Sequence, residues 1–333
     1  MIRTTPLLAI VMVMITVTAV LDAQVVRESY IPASGLLRIG PGPDEVVERT
    51  DTGHTLVLPD RIEPLGAVVL PDGFRVSPAA YLDDSLSFER EALRRGLAVV
   101  RLTTGNPLDF YFDDSTVASV GGRLQAVLDE AGMGAAPVVL CGMSLAGTRV
   151  LKLAIHMRRH PERYSLRLAG AAIVDAPLDM VRFHAAEQQA IRDDFHPAAA
   201  GEGRWVSWML ETHLGGTPQE RWQRYVDYSP YVHGAPDGGN AALLADLPLR
   251  AYHEPDVNWW IENRRKDYYG MNSLDLAALI NELRRQGNGR ADLITTCRAR
   301  KGYAEGASPH TGSIVDNADL ADWAAETTTS QRR

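Results

Sequence analysis

The chain has 333 residues, with 42 Asp and Glu against 34 Lys and Arg, for a net charge of −8. That length suits one large domain or two small ones with a full core, and ordinary apolar and charged fractions mark a globular chain. An acidic balance without a Lys/Arg run excludes a nucleic-acid footprint.

The N-terminus has its own pattern. Arg3 precedes an apolar run over 6–21, and Asp22, Ala23 and Gln24 follow. A charged start, a short apolar stretch and a small residue predict a secretory signal peptide over 1–23, cut after Ala23. The run falls short of the roughly 20 apolar residues of a membrane span. A secreted or periplasmic protein without a membrane span is therefore expected over 24–333, with an uncleaved N-terminal membrane anchor as the alternative. Only Cys141 and Cys297 are present, too few for a disulfide framework. Both end apolar runs, which predicts buried free thiols.

Further along, 25–64 offers one or two antiparallel edge strands, such as 53–59. From 65 on, short apolar runs alternate with helical spacing. Strands are expected at 65–70, 97–102 and 137–141, within 168–177, and at 247–256 and 291–297. Helices are expected at 88–96, 115–132, 145–160, 274–287 and 317–326. Such alternation means an α/β fold, a mostly parallel doubly wound sheet. Residues 178–246 interrupt it with Trp205, Trp208, Trp222, Tyr225, Tyr228 and Tyr231. The insert is too long for a plain loop. A helical cap over the carboxyl ends of the strands is the simplest account, its aromatics packing the insert or lining a pocket.

The stretch 138–156, VVLCGMSLAGTRVLKLAIH, runs from a strand into a helix through Ser144, with Gly142 before it and Ala146 and Gly147 after. A sharp turn there lifts the hydroxyl into the open, and the strain requires small neighbours. The helix start leaves backbone N–H groups unpaired, so the N–H of Leu145 is placed to stabilise an oxyanion. The geometry suits a nucleophile; a serine that merely caps the helix is the plainer alternative.

In its strand–turn–helix setting GMSLAG resembles the nucleophile elbow of the α/β-hydrolase family, with Ala146 where the usual pattern has glycine. The resemblance covers roughly 60–325. It implies a serine hydrolase with the order Ser, acid, His, and element order like that of prolyl-peptidase and dienelactone-hydrolase relatives. His310, in the loop between the last strand and the terminal helix, matches the family's base. The acid usually follows a late strand. Asp256 is taken for it, since it lies a few residues past the strand in 247–256; Glu254 beside it and Asp175 after the preceding strand compete. The second oxyanion donor is implied in the loop 71–78, at the N–H of Phe74 or of Gly73.

His156 and His160 lie on the helix after the serine, and His253 sits at the strand end where the family places the acid. No Cys-x-x-Cys spacing or nucleotide-type Gly-rich loop occurs, so no metal or cofactor is implied. The expected function is ester cleavage, or amide or peptide cleavage, of a small-molecule substrate through an acyl-serine. A non-catalytic binding protein on the same fold and an acyltransferase using an acceptor other than water are the rivals.

Overall fold

The computed structural model describes residues 15–21, 24–60, 63–297 and 307–330. The charged start of the chain and the expected cut after Ala23 lie outside the described residues. The rest of that run forms β1 (Ile15–Leu21), antiparallel to β2 (Gln24–Ile31) at the sheet's edge. A small hairpin, β3 (Leu36–Arg38) with β4 (Val46–Glu48), stands apart from the main sheet.

The remaining strands are β5 (Thr52–Leu58), β6 (Gly66–Pro71), β7 (Leu97–Thr104), β8 (Pro137–Met143), β9 (Arg167–Val174), β10 (Leu249–His253) and β11 (Ala291–Thr295). They join the first two in a 9-stranded sheet of order β1-β2-β5-β7-β6-β8-β9-β10-β11. The strands from β7 to β11 along this order run parallel, while β1, β2 and β5 are antiparallel. This is the α/β-hydrolase fold.

Side-chain alternation divides the core. Along β8, Val138 and Leu140 face one layer, with Leu124 and Leu128 of α3 (Asp114–Glu130), Leu151 and Ile155 of α4 (Leu145–Arg159), and Leu276 and Leu283 of α9 (Asn272–Arg285). Val139 and Cys141 face the other, with Ala92 and Leu93 of α2 (Phe88–Arg94) and Leu320 and Ala324 of α10 (Asn317–Ser330). A period of two along the strand is what sends neighbours to opposite layers. A short helix, α1 (Pro78–Leu82), precedes α2.

Between β9 and β10 the chain builds the helical insertion: α5 (Met180–Asp193), α6 (Pro197–Leu214), α7 (Trp222–Tyr228) and a broken 3₁₀ stretch, Pro236–Leu244. It has its own core, in which Tyr225 and Tyr228 pack with Phe183, Leu210 and, from the main domain, Phe110. A further helix, α8 (Val257–Arg264), follows β10 and buries no residue of its own. Among the described residues no helix is long and apolar enough to cross a membrane.

Candidate active site

Ser144 sits between β8 and α4 with φ 53° and ψ −127°. An L-residue adopts that conformation only when its surroundings enforce it, at a cost of about 1–3 kcal/mol. The enforcement is local. Ser144 N donates to Val174 O of β9 at 2.8 Å, and Ser144 O accepts from Gly147 N at 2.9 Å. A Cβ on Gly142 would lie 2.5 Å from Ala146 O, and one on Gly147 would lie 2.6 Å from the Ala176 Cβ. Both glycines are thus required by close approach. The Ser144 side chain makes no capping bond to α4, so the plainer alternative does not describe it.

Its hydroxyl instead meets His310, with Nε2 to Oγ 3.0 Å. His310 lies between β11 and α10, held by His310 N donating to Ser308 Oγ at 3.2 Å and Thr311 N donating to Pro309 O at 3.0 Å. Its other nitrogen, Nδ1, is 2.7 Å from Asp175 Oδ2. Asp175 is buried, directly past β9; its N–H donates to Tyr252 O at 3.0 Å and its carbonyl accepts from Asn272 Nδ2 at 3.1 Å. Burial works against a charge on His310, but the bond to Asp175 and its negative charge outweigh this and hold the imidazole above its ordinary 6.5.

The carboxylate at His310 is therefore Asp175 and not Asp256. Val174, the residue before Asp175, is the one that pins Ser144 N, so this carboxylate is delivered beside Ser144 by the adjacent strand. Asp256 lies past the next strand over. Its Oδ1 accepts from Trp259 N at 3.1 Å, which makes it the N-cap of α8. Glu254 is also engaged elsewhere, accepting from Thr296 Oγ1 at 2.7 Å. His253 is buried with Nε2 at 2.7 Å from Thr295 Oγ1.

Leu145 opens α4, so its N–H has no acceptor within the helix. Across from it, β6 runs parallel to β8 with Val69 beside Leu140. Past β6 the chain bonds β7 instead, with Asp72 N donating to Leu102 O at 2.8 Å, and leads into Gly73 and Phe74. Gly73 is closely packed, since a Cβ there would lie 2.6 Å from Pro107 O, and its carbonyl accepts from Thr50 Oγ1 at 2.8 Å. The Phe74 ring next to it is exposed.

Ser144 and His310 open onto a cleft of about 200 Å³ between the insertion and the segment after β10. Phe183 contributes a ring from the insertion; Trp259 and Trp260 contribute theirs from α8, outside the insert that the sequence pattern singled out. Trp205, Tyr225 and Tyr228 belong instead to the insertion's own core or its margin. Among the described residues no group of three or more His, Cys, Asp or Glu is arranged to hold a metal; the His156 and His160 rings pack together at 4.7 Å.

No family model and no curated protein matches the chain. Solved structures match it by shape. A bacterial heroin esterase aligns over 94% of this chain and 86% of its own, at 16% identity and a TM-score of 0.53. MPT51 from Mycobacterium tuberculosis aligns over 89% of this chain and 100% of its own, at 15% identity and a TM-score of 0.51. An S-formylglutathione hydrolase from Agrobacterium tumefaciens aligns over 94% and 98%, at 12% identity and a TM-score of 0.50. At such identities the likeness is one of fold.

Proposed function

We propose that this chain is an exported serine hydrolase that cleaves an ester through an acyl-Ser144 intermediate. One observation carries the reading: a single imidazole, His310, joins the elbow serine on one nitrogen to a buried carboxylate on the other. In the proposed reaction His310 takes the Ser144 proton as Oγ attacks the ester carbonyl. Asp175 orients the ring and stabilises its charged form. The N–H of Leu145, with that of Phe74 or Gly73, meets the oxyanion. His310 then gives its proton to the departing alcohol. A water, deprotonated by the same ring, releases the acid. Ester is placed before amide because two of the proteins sharing the fold are named an esterase and an S-formylglutathione hydrolase. Export rests on the leader pattern. Its loss would leave the β2–β5 ladder in place, since among the described residues β1 pairs only with β2.

The test is covalent labelling with a fluorophosphonate together with hydrolysis of a panel of simple esters. The native protein should label and turn over. Ser144→Ala should stay folded, take no label and lose several orders of magnitude in rate. Undiminished turnover by Ser144→Ala on every substrate would remove the assignment.

A further inference from the structure

Two carboxylates, Glu187 and Glu202, and two cations, Arg264 and Lys266, line the cleft, and they do not all pair with one another. Lys266 is committed: its Nζ lies 2.8 Å from Glu187 Oε1, and the Glu187 side chain is 0% exposed. The second Glu187 oxygen, Oε2, is buried and has no hydrogen-bond partner. Arg264 lies with its guanidinium 5.2 Å from the Trp259 ring centroid and donates from Nη1 to Asn263 O at 2.8 Å. Glu202, on α6, lines the same cleft with an exposed carboxylate that makes no hydrogen bond or ion pair among the described residues. The unused capacity on the cap side is thus all acceptor: both Glu202 oxygens and one Glu187 oxygen. Phe183 and Trp260 line the same cleft, and aromatic rings attract a cation through their negative faces.

Resting on the hydrolase reading above, we propose that this cleft selects esters carrying a positive charge, a primary or quaternary ammonium, met by the Glu202 carboxylate and flanked by aromatic rings. Two electrostatic effects agree with that placement. The Glu202 charge adds to the upward pull on the His310 imidazole, and it adds to the burial that raises the Glu187 carboxyl. Glu202 therefore acts on both the proposed base and the buried acid. A cation between them relieves the repulsion between the two carboxylates.

The selectivity is testable without turnover. In Ser144→Ala protein, calorimetry at low salt compares an acetate ester bearing a trimethylammonium group with its isosteric tert-butyl and carboxylate counterparts. The ammonium ester should bind about tenfold tighter than the tert-butyl ester, the sum of one partly exposed ion pair and one ring contact. Adding Glu202→Gln should bring the two affinities together, and added salt should narrow the gap. Equal binding of the two esters, or no binding of the ammonium ester, overturns the proposal. So does a gap that survives Glu202→Gln. Tighter binding of the carboxylate ester, lost in Arg264→Gln, overturns it in favour of Arg264 and an anionic substrate. A protein that keeps the ammonium preference but cleaves no ester and takes no serine label removes the hydrolase reading alone.

Discussion

His310 is under two opposing pressures, and their balance sets a measurable pH dependence. Burial favours the neutral ring; the hydrogen bond and charge of Asp175 favour the cation and prevail, so the ring stays protonated above 6.5. A general base must be neutral to act, so kcat/KM should fall on the acid side with an apparent pKa above 6.5. The same shift adds stability that is fully present below 6.5 and lost as pH rises through the raised value. Asp175→Asn should move the acid limb down and slow turnover by on the order of 10⁴-fold. Asp256→Asn should keep near-native turnover, since an amide oxygen can still cap α8. Turnover lost in Asp256→Asn and kept in Asp175→Asn would reverse the assignment. Ser144 and His310 were legible because small residues at a strand-to-helix turn, and a histidine between the last strand and the last helix, are marked by local pattern. Which carboxylate meets His310 was not. Carboxylates follow both β9 and β10, and the pairing of Ser144 N with Val174 O tells which one arrives beside Ser144.

At the scale of elements, α9 holds the Asp175 loop in place. Asp275, 2% exposed, accepts through Oδ2 from Leu178 N at 2.9 Å, from Asp179 N at 3.1 Å and from Arg182 Nη2 at 2.8 Å. Asn272, one turn earlier, bonds the Asp175 carbonyl. The stretch from Asp175 to the start of α5 is thus fastened to α9, and Asp179 caps α5 by accepting from Val181 N at 3.0 Å. Asp275→Ala leaves Arg182 without its ion-pair partner in a buried setting, which should cost about 3–5 kcal/mol. Urea unfolding should show the loss, and turnover should fall with it as the Asp175 loop loosens. A stability change under about 1 kcal/mol would show that solvent replaces the carboxylate. The strands and helices around this tie were readable from apolar period, but α8 was not. It buries no residue, so 257–264 carries no apolar helical stripe.

The order of strands across the whole sheet makes a statement about the cysteines that neither residue makes alone. Cys141 lies in β8, and Cys297 lies just past β11, with β9 and β10 between them. Three strand spacings of about 4.8 Å put them roughly 14 Å apart, and a disulfide needs Cα atoms within about 7 Å. Both are free thiols, but only Cys141 is buried; Cys297 is exposed. The sequence pattern predicts burial for both, because an apolar run looks the same in the middle of a sheet and at its edge. Among the described residues β11 pairs with β10 alone at the edge of the sheet, and Thr295 and Cys297 at its end are exposed. Burial also pushes the Cys141 thiol far up, away from the reactive thiolate. Alkylation of the native protein should therefore modify Cys297 alone, and alkylation in denaturant should modify both. A native protein that labels first at Cys141, or a mass spectrum with a Cys141–Cys297 crosslink, would contradict this strand order and with it the placement of Ser144 between β6 and β9.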